Sequence, residues 1–267
     1  MRDFELERKL QSALDYGANV WVIGDVHGYF RTLQSLVGKL ELNENDVVVM
    51  LGDLIDRGPS SADVVNYVRS TESIYSIRGN HEQMMIEGFD DVKFFKDLSK
   101  EVIIWYRNGG SETESSYIAM CGSNEEACNR ASEDIGWMMA LPTEIVLEDW
   151  RLVHGGYDQN QDVEDESQED IHMYARKQFF SSKHAIDPKR TILFGHTVTF
   201  VHLHKDSSKA GTIWLSDVKL DDGSPMAIGI DTCVYHEFDL PKVLTAYNIQ
   251  TNETIYQNRI ESENQQH

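Results

Sequence analysis

The chain has 267 residues, of which 40% are hydrophobic, enough for one sizeable core or two small ones. Its 45 acidic side chains outnumber 24 basic ones, and the resulting formal net charge of −21 repels phosphate backbones and anionic membrane surfaces. We therefore expect neither a nucleic acid nor a membrane as a partner.

The cysteines and the first residues indicate the compartment. Cys121, Cys128 and Cys233 form no Cys-x-x-Cys pair, which argues against a disulfide framework and against a structural zinc knuckle. The segment MRDFELERKLQSALDYG carries acidic residues where a signal peptide needs a basic and then an apolar stretch, and no apolar run reaches transmembrane length. We expect a cytoplasmic protein.

Five short apolar runs each end in glycine beside a charged or metal-competent side chain. The runs are rich in Val and Ile and have the length of a strand, so we predict buried strands whose C-terminal ends break into loops. They are, in chain order, NVWVIGDVHG, DVVVMLGDLIDRG, SIYSIRGNHE, DWRLVHGG and TILFGHT.

Helices are predicted between the first three strands. YFRTLQSLVGKL places its apolar residues at helical spacing, and SSADVVNYVRS is amphipathic and begins with a serine-type cap. The order β-α-β-α-β implies parallel pairing with right-handed crossovers. Because ligands of open α/β sheets lie beyond the carboxyl ends of the strands, the five glycine-marked loops should meet along one edge.

The middle of the chain is predicted to be more helical. VKFFKDLSKEVIIWYRNGG and NEEACNRASEDIGWMMALP both have helical patterns, and the second should end near Pro142. TEIVLEDWRLVHGG is typical of two strands joined at Glu148-Asp149, and the acidic segment 158–170 is expected to be a mobile loop. We expect loops such as 106–125 and 157–172 to determine specificity.

The last part of the sequence predicts two hairpins. GTIWLSDVKL and PMAIGI flank a DDG turn, and KVLTAYNI and ETIYQ flank Gln250 to Asn252. His202 and His204 alternate in TFVHLHK, which is typical of one face of a strand, so we leave both out of the candidate site. We predict a single domain over 1–258 and a polar, frayed C-terminal tail over 259–267.

The loops after the strands supply a candidate metal site. Neutral imidazole with carboxylate and amide oxygens suits Mn, Fe or Zn, whereas oxygen ligands alone would suggest Mg or Ca. Six candidate ligands exceed the need of one catalytic ion, so two ions that share a bridging carboxylate fit better. The candidates are Asp25, His27, Asp53, Asn80, His154 and His196.

Two metal ions ~3.5–4 Å apart can hold a nucleophilic hydroxide and neutralise charge during in-line displacement at phosphorus. Arg57 and Arg78 lie beside ligand positions, where a guanidinium can grip two phosphoryl oxygens. In GNHE, we expect Asn80 to supply a ligand oxygen and His81 to protonate the leaving group.

Each motif also has a structural interpretation that involves no function. A single Gly-Asp or Gly-Asn after a strand is usually a turn, but turn chemistry does not explain why metal-binding residue types recur at five strand ends. A cysteine-dependent phosphatase needs Cys-x5-Arg, and the sixth positions after the three cysteines are Ala127, Asp134 and Asp239, which excludes that chemistry. A metal-binding scaffold without turnover remains an alternative.

The motifs together resemble a known family. GDVHG (24–28), GDLIDRG (52–58), GNHE (79–82), HGG (154–156) and GHT (195–197) are similar to the signature blocks of the calcineurin-like metallophosphoesterases. More narrowly, they resemble the PPP-type serine/threonine protein phosphatases and their small lambda-phage-type bacterial branch. The resemblance implies an α/β fold, a β-sandwich of two mixed sheets flanked by helices, with a dinuclear metal site at the strand C-terminal ends.

The resemblance also implies a role for each site residue. Manganese is implied as a frequent activator, and iron or zinc fit the same ligands. IDTC (230–233) stands where relatives have Ile-Asp-Thr-Gly, outside the implied ligand set. The implied roles are Asp25 and His27 on the first metal, Asp53 as the bridge, Asn80, His154 and His196 on the second metal, His81 as the general acid, Asp56 as the carboxylate that orients it, and Arg57, Arg78 and Arg176 on the phosphate, with Lys177 as the competitor of Arg176.

The predicted function is a metal-dependent phosphomonoester hydrolase, most specifically a protein serine/threonine phosphatase that can also act on phosphotyrosine. The predicted mechanism uses a bridging hydroxide and forms no phosphoenzyme, with a phosphorylated protein or a small phosphate ester as substrate. A diadenosine tetraphosphate hydrolase of the same superfamily is the alternative, and the sequence leaves the oligomeric state open.

Overall fold

A computed structural model describes residues 1–89 and 99–261 and contains two mixed five-stranded sheets. The first sheet has the strand order β10-β9-β1-β2-β3, and the second has the order β4-β5-β6-β8-β7. The strands are β1 Val20–Ile23, β2 Val47–Met50, β3 Ile74–Ser76, β4 Glu144–Val146, β5 Trp150–Val153, β6 Thr191–Phe194, β7 Trp214–Leu215, β8 Ala227–Gly229, β9 Val243–Asn248 and β10 Thr254–Asn258.

Parallel pairing at the centre of each sheet determines where the loops go. β1 pairs with β2 and β2 with β3, all parallel, and β6 lies parallel between β5 and β8. The five glycine-marked loops therefore leave the carboxyl ends of β1, β2, β3, β5 and β6, as the sequence predicts.

Helices flank the sheets. α2 packs against β9 and β10, α3 packs against β3, and α1 contacts β1 and β4. The helices are α1 Phe4–Asp15, α2 Phe30–Lys39, α3 Ser61–Ser70, α4 Asn80–Gly88, α5 Lys100–Arg107, α6 Gly110–Cys121, α7 Asn124–Ala140, α8 Glu169–Tyr174 and α9 Lys177–Phe180.

The core between the two sheets is built from alternate residues of their strands. Val20 and Val22 of β1 and Val47 and Val49 of β2 face this interface, because successive side chains of a strand point to opposite faces. From the second sheet, the same cluster receives Ile145, Leu152, Leu193 and Ile228. The predicted sandwich of two mixed sheets is therefore confirmed.

Several local predictions hold. The helices predicted in YFRTLQSLVGKL, SSADVVNYVRS and NEEACNRASEDIGWMMALP are α2, α3 and α7. The two predicted hairpins are the antiparallel pairs β7–β8 and β9–β10. The helix predicted from residue 92 is present as α5, whereas residues 92–98 lie outside the described part of the chain.

Three predictions of loops or strands within the chain are wrong. Within the predicted loop 157–172, Glu166–Gln168 forms a 3-10 turn and α8 begins at Glu169. Residues 110–121 of the predicted loop 106–125 form α6, which buries Thr113, Ser116 and Tyr117, so its inward face is largely polar and shows no apolar periodicity. The TFVHLHK segment is not a strand, because Thr199–Leu203 forms a π-helical turn. The alternation of its histidines is too short to distinguish these two structures.

The end of the chain is more ordered than the sequence predicts. Glu261 is buried, and its Oε1 accepts hydrogen bonds from the backbone N–H groups of Arg31 at 2.6 Å and Thr32 at 3.2 Å. It therefore caps the first turn of α2, whose N–H groups have no partner within the helix. The predicted fraying is wrong for residues 259–261, and residues 262–267 lie outside the described part.

Within the described residues, none of the helices combines the length and the apolar character needed to cross a bilayer.

Candidate metal centre and active site

The ends of the parallel strands bring four of the six predicted ligands, together with the predicted general acid His81, into two groups of buried side chains. The first group contains His27, Asp53 and His81, and the second contains Asp53, His154 and His196, with the ligand atoms of each group within 4.8 Å of one another. Asp53 belongs to both groups, which is what a bridging carboxylate requires.

The loops that carry these side chains adopt unusual backbone conformations. His27, Asp53 and His196 have φ angles of 48°, 50° and 59°, and the neighbouring Asp56 and Arg57 have 72° and 69°. Each such conformation costs on the order of 1–3 kcal/mol in a residue other than glycine, and such strain concentrates at functional sites.

Glycines before the ligands allow the backbone to approach the carboxylates. A Cβ added to Gly79 would lie 2.3 Å from Oδ1 of Asp53, and one added to Gly195 would lie 2.3 Å from Oδ1 of Asp25. The Glu82 carboxylate secures the same region, because it accepts hydrogen bonds from the backbone N–H groups of Asp53 and Gly79. The glycines of GNHE and GHT are therefore needed for close approach.

In the first group, the ring of His27 is oriented by the backbone. Its Nδ1–H donates to the carbonyl of Ile55 at 2.8 Å, so the lone pair is on Nε2, which lies 3.6 Å from Oδ2 of Asp53. Burial lowers the pKa of His27 well below its usual range, and the ring is therefore neutral. Metal-binding histidines usually have this arrangement, in which one ring N–H donates to a backbone carbonyl and the other nitrogen keeps its lone pair for the metal.

In the second group, acceptors face both nitrogens of His154. Nδ1 lies 2.7 Å from the carbonyl oxygen of Leu51, and Nε2 lies 3.0 Å from Oδ1 of Asn80 and 3.3 Å from Oδ1 of Asp53. Burial lowers the pKa of His154, but Asp53 opposes it more strongly and the net pKa rises to about 9. The surroundings of Nε2 therefore attract positive charge.

His196 completes the second group with an unsatisfied atom. Its Nε2 is buried and has no hydrogen-bond partner within residues 1–89 and 99–261. Burial lowers the pKa of this ring well below its usual range, which leaves a lone pair on a neutral imidazole. An unpaired buried lone pair beside a carboxylate fits a divalent cation, so these residues suit a metal site.

Asp25 lies next to these groups without belonging to either. Its carboxylate accepts the backbone N–H of His196 at 3.0 and 3.1 Å. Burial, together with the negative charge of Asp231, raises the pKa of Asp25 well above its usual range. A cation between the carboxylates would relieve this repulsion.

His81 is oriented by a buried carboxylate. Its Nδ1–H donates to Oδ2 of Asp56 at 2.6 Å, and Asp56 also accepts from Nε1 of Trp105 at 3.0 Å and from Oγ1 of Thr113 at 2.7 Å. Three donors thus fix the carboxylate, which in turn directs Nε2 of His81 toward the candidate metal centre. The predicted pairing of His81 with Asp56 is present in the structure.

Two of the three predicted arginines lie at the site. Nη1 of Arg57 is 2.9 Å from Nε2 of His27, and Nη2 is 3.0 Å from Nε2 of His81. Nη1 of Arg176 donates to the carbonyl of His196 at 3.2 Å, and the side chain is exposed to solvent. Lys177 is the first residue of α9 and is also exposed.

The structure does not bring Arg78 to the same place. Its Nη1 donates to Oε1 of Gln83 at 3.0 Å, and its Nη2 donates to the carbonyls of Met139 and Leu141 at 3.3 Å. The guanidinium therefore binds the C-terminal end of α7, and its proximity to GNHE in the sequence does not make it face the ligands.

Four residues around the site were not predicted from the sequence. Trp105 and Thr113 reach Asp56 from α5 and α6, and no short motif marks them. Asp231 and Tyr235 follow β8, and the hydroxyl of Tyr235 donates to Oδ2 of Asp231 at 3.3 Å. The Ile-Asp-Thr beginning of the IDTC block was the available signal, since an aspartate again follows a buried strand.

The sequence matches a family profile and several curated bacterial proteins. The profile of calcineurin-like phosphoesterases matches residues 18–222. Serine/threonine-protein phosphatase 1 of Salmonella typhimurium is 36% identical over 93 residues, or 34% of this chain and 39% of the relative. Serine/threonine-protein phosphatase 2 of the same organism is 26% identical over 204 residues, or 73% of this chain and 86% of the relative.

A third relative is named as a nucleotide hydrolase and not as a protein phosphatase. The symmetrical bis(5'-nucleosyl)-tetraphosphatase of Coxiella burnetii is 35% identical over 74 residues, or 27% of this chain and 25% of the relative. Two of these three alignments therefore span well under half of the relative's length.

A solved structure shows the same fold. A protein serine/threonine phosphatase from Saccharomyces cerevisiae superposes with a TM-score of 0.55 and 12% identity, over 96% of this chain and 90% of that one. Since the family profile covers most of the chain and its motifs form the site described above, the chain belongs to the calcineurin-like phosphoesterase family.

Proposed function

We propose that this phosphoesterase is a metal-dependent phosphomonoester hydrolase, and specifically a protein serine/threonine phosphatase. The observation that carries the proposal is the pair of buried groups that share Asp53, the first of which includes His81, with Arg57 in contact with His81. The names of the relatives from Salmonella typhimurium support the protein-phosphatase assignment.

The proposed metal ligands are those predicted from the sequence. Asp25, His27 and Asp53 would hold one divalent ion, and Asp53, Asn80, His154 and His196 the other. Such ions supply an activated water nucleophile and neutralise phosphoryl charge. The mixture of imidazole, carboxylate and amide suits manganese, with iron or zinc as alternatives.

His81 is the proposed proton donor to the departing oxygen. Nδ1–H of its ring is held by Asp56, so the proton for the leaving group must come from Nε2. Positioned proton transfer of this kind contributes roughly 10²–10⁴-fold to a rate. Asp56 keeps the ring in place and stabilises its protonated form.

Arg57 and Arg176 are the proposed phosphate ligands. Nε2 of His27 cannot accept a hydrogen bond from Arg57 and bind a cation with the same lone pair, so Nη1 of Arg57 would be free if His27 held a metal ion. The N–H groups of Nη1 could then bind phosphoryl oxygens, for which a planar guanidinium is well suited. We leave Arg78 out of this set because its Nη2 donates to carbonyls at the end of α7 and its Nη1 donates to Gln83.

The domain and the compartment belong to the same proposal. We propose a single cytoplasmic domain. It extends to at least Glu261 and not only to the predicted residue 258, because the side chain of Glu261 caps α2. Its substrate would be a phosphorylated protein or a small phosphate ester.

The test is phosphate release by metal-stripped protein from p-nitrophenyl phosphate and from a phosphoserine peptide, before and after addition of Mn²⁺. We expect activity on both substrates only with the metal, and we expect Asp53→Asn to abolish it because both ligand groups lose their shared carboxylate. Metal-independent activity, or full activity in the variant, would refute the proposal.

A dinucleoside polyphosphate hydrolase is the second candidate, because the relative from Coxiella burnetii carries that activity in its name. Diadenosine tetraphosphate in the same assay separates the two. Cleavage of this substrate with no release from the peptide would favour the second candidate, and bound metal without hydrolysis of any of the three substrates would favour a scaffold.

A further inference from the structure

Tyr235 lies against both Arg57 and His27. The Cζ atom of Arg57 is 4.1 Å from the centroid of the Tyr235 ring, the shortest such cation–π distance in the described part of the chain. The edge of the same ring system meets His27, with ring centroids 4.4 Å apart at 83°. One half-buried aromatic ring therefore supports two groups of the proposed active site.

Asp231 anchors this ring. Its Oδ2 accepts from the Tyr235 hydroxyl at 3.3 Å, while its Oδ1 accepts from the backbone N–H of Cys233 at 2.9 Å. Its own carbonyl accepts from the N–H of Thr199 at 3.0 Å. The carboxylate is fixed in the loop after β8, so it limits rotation of the hydroxyl end of Tyr235.

The contact with the Tyr235 ring constrains the Arg57 guanidinium while its terminal nitrogens are directed elsewhere. Cζ of Arg57 lies over the ring, and Nη1 and Nη2 are directed at Nε2 of His27 and Nε2 of His81. An arginine side chain otherwise loses much rotamer freedom when it is fixed. If Tyr235 already holds the plane of the guanidinium, less of this freedom is lost when the N–H groups of Arg57 bind a phosphoryl group.

We propose that Tyr235, anchored by Asp231, is a positioning residue that holds the plane of the Arg57 guanidinium for phosphate binding. The inference rests on the proposed hydrolase function and assigns a role to the segment after IDT. Tyr235 itself contributes no proton and no metal ligand in this account. Its effect must therefore pass through Arg57.

The kinetic test is a double-mutant cycle with p-nitrophenyl phosphate and Mn²⁺. Tyr235→Leu should lower kcat/KM about tenfold when Arg57 is present, which corresponds to about 1.4 kcal/mol. In the Arg57→Ala background the same change should cost less than threefold. Tyr235→Phe, which keeps the ring face, should retain at least a third of the activity.

Tyr75→Leu is the matched control. Tyr75 is also half-buried and also carries a cation over its ring, that of Lys9 at 4.9 Å, but on β3 and away from the ligands. We expect its kcat/KM to stay within twofold of the parent. Equal losses from Tyr235→Leu in both Arg57 backgrounds, or a loss in Tyr235→Phe equal to that in Tyr235→Leu, would overturn the inference.

A second readout uses the metal-free protein and needs no activity. The melting temperatures of the same four proteins should show that Tyr235→Leu costs a few degrees more with Arg57 than without it, because the stacked pair is present in this structure. Equal costs would refute the coupling. If no substrate is hydrolysed, this cycle still decides whether Tyr235 holds Arg57, so the failure of the inference and that of the proposed function are distinguishable.

Discussion

The hydrogen bond between His81 and Asp56 gives a prediction that depends on the leaving group. Nδ1 of His81 lies 2.6 Å from a carboxylate whose other contacts, from Trp105 and Thr113, are also donors. In Asp56→Asn the amide is uncharged, and its NH₂ group can face Nδ1 of His81 only when that nitrogen carries no proton. The variant therefore loses the negative charge that stabilises protonated His81.

The magnitude follows from the type of hydrogen bond. A hydrogen bond to a charged group is worth roughly 1.5–3 kcal/mol, which corresponds to a loss of roughly tenfold to over a hundredfold in rate. That loss should appear with a phosphoserine peptide, whose alkoxide leaving group needs a proton. It should be much smaller with p-nitrophenyl phosphate, whose phenoxide hardly needs one.

The assay compares kcat on the two substrates for the parent, Asp56→Asn and His81→Asn. We expect both variants to lower the ratio of peptide to p-nitrophenyl phosphate turnover, and His81→Asn to lower it more. Asp46→Asn is the matched control, because Asp46 is another buried carboxylate that accepts N–H groups, but it precedes β2 at the opposite end of the strand. Equal losses on both substrates would refute the proton-donor role.

Three further predictions test the backbone, the pH dependence and the C-terminal cap. Gly79→Ala should weaken Mn²⁺ binding at least tenfold in calorimetry, because its Cβ would lie 2.3 Å from a carboxylate oxygen of Asp53. The control is Gly38→Ala, whose Cβ would enter open space on α2, and it should leave Mn²⁺ binding unchanged and not lower the melting temperature. Burial lowers the pKa of His172 to about 3, so its contribution to stability is complete above its unfolded pKa of roughly 6.5 and is lost as the pH falls toward 3. At pH 5 the loss should be about 2 kcal/mol, and urea unfolding at pH 7.5 and 5 should show a smaller pH effect in His172→Gln; an equal effect in both proteins would contradict this. Glu261→Ala should cost about 1–2 kcal/mol in urea unfolding by uncapping α2, and an unchanged midpoint would show that the cap is not needed.

The ligand-bearing loops could be predicted from sequence because their signals are local. Each ligand follows a Val- and Ile-rich strand within a few residues, and parallel pairing then brings the strand ends together. Glycines such as Gly79 and Gly195 mark close approach to a carboxylate, which is also a local requirement.

The rest of the site depends on contacts between distant segments. Trp105 and Thr113 reach Asp56 from helices 49 and 57 residues further along the chain, and no spacing rule connects them. Arg78 illustrates the opposite case, since its position next to GNHE suggested the site but its side chain binds the carbonyls at the end of α7.

The helix α6 and the ordered residues up to Glu261 were not predicted because the residues that they bury are polar. α6 buries Thr113, Ser116 and Tyr117, and hydroxyl groups of this kind carry no apolar periodicity. Glu261 lies in a polar segment that resembles a free tail, and only its hydrogen bonds to the start of α2 distinguish it from one.

The central claim is that two divalent ions share Asp53, and the most direct measurement is the metal content of the chain after dialysis against Mn²⁺. We predict two ions per chain in the parent protein and at most one weakly held ion in Asp53→Asn, because that carboxylate belongs to both ligand groups. A single ion in the parent, or an unchanged count in the variant, would contradict the account.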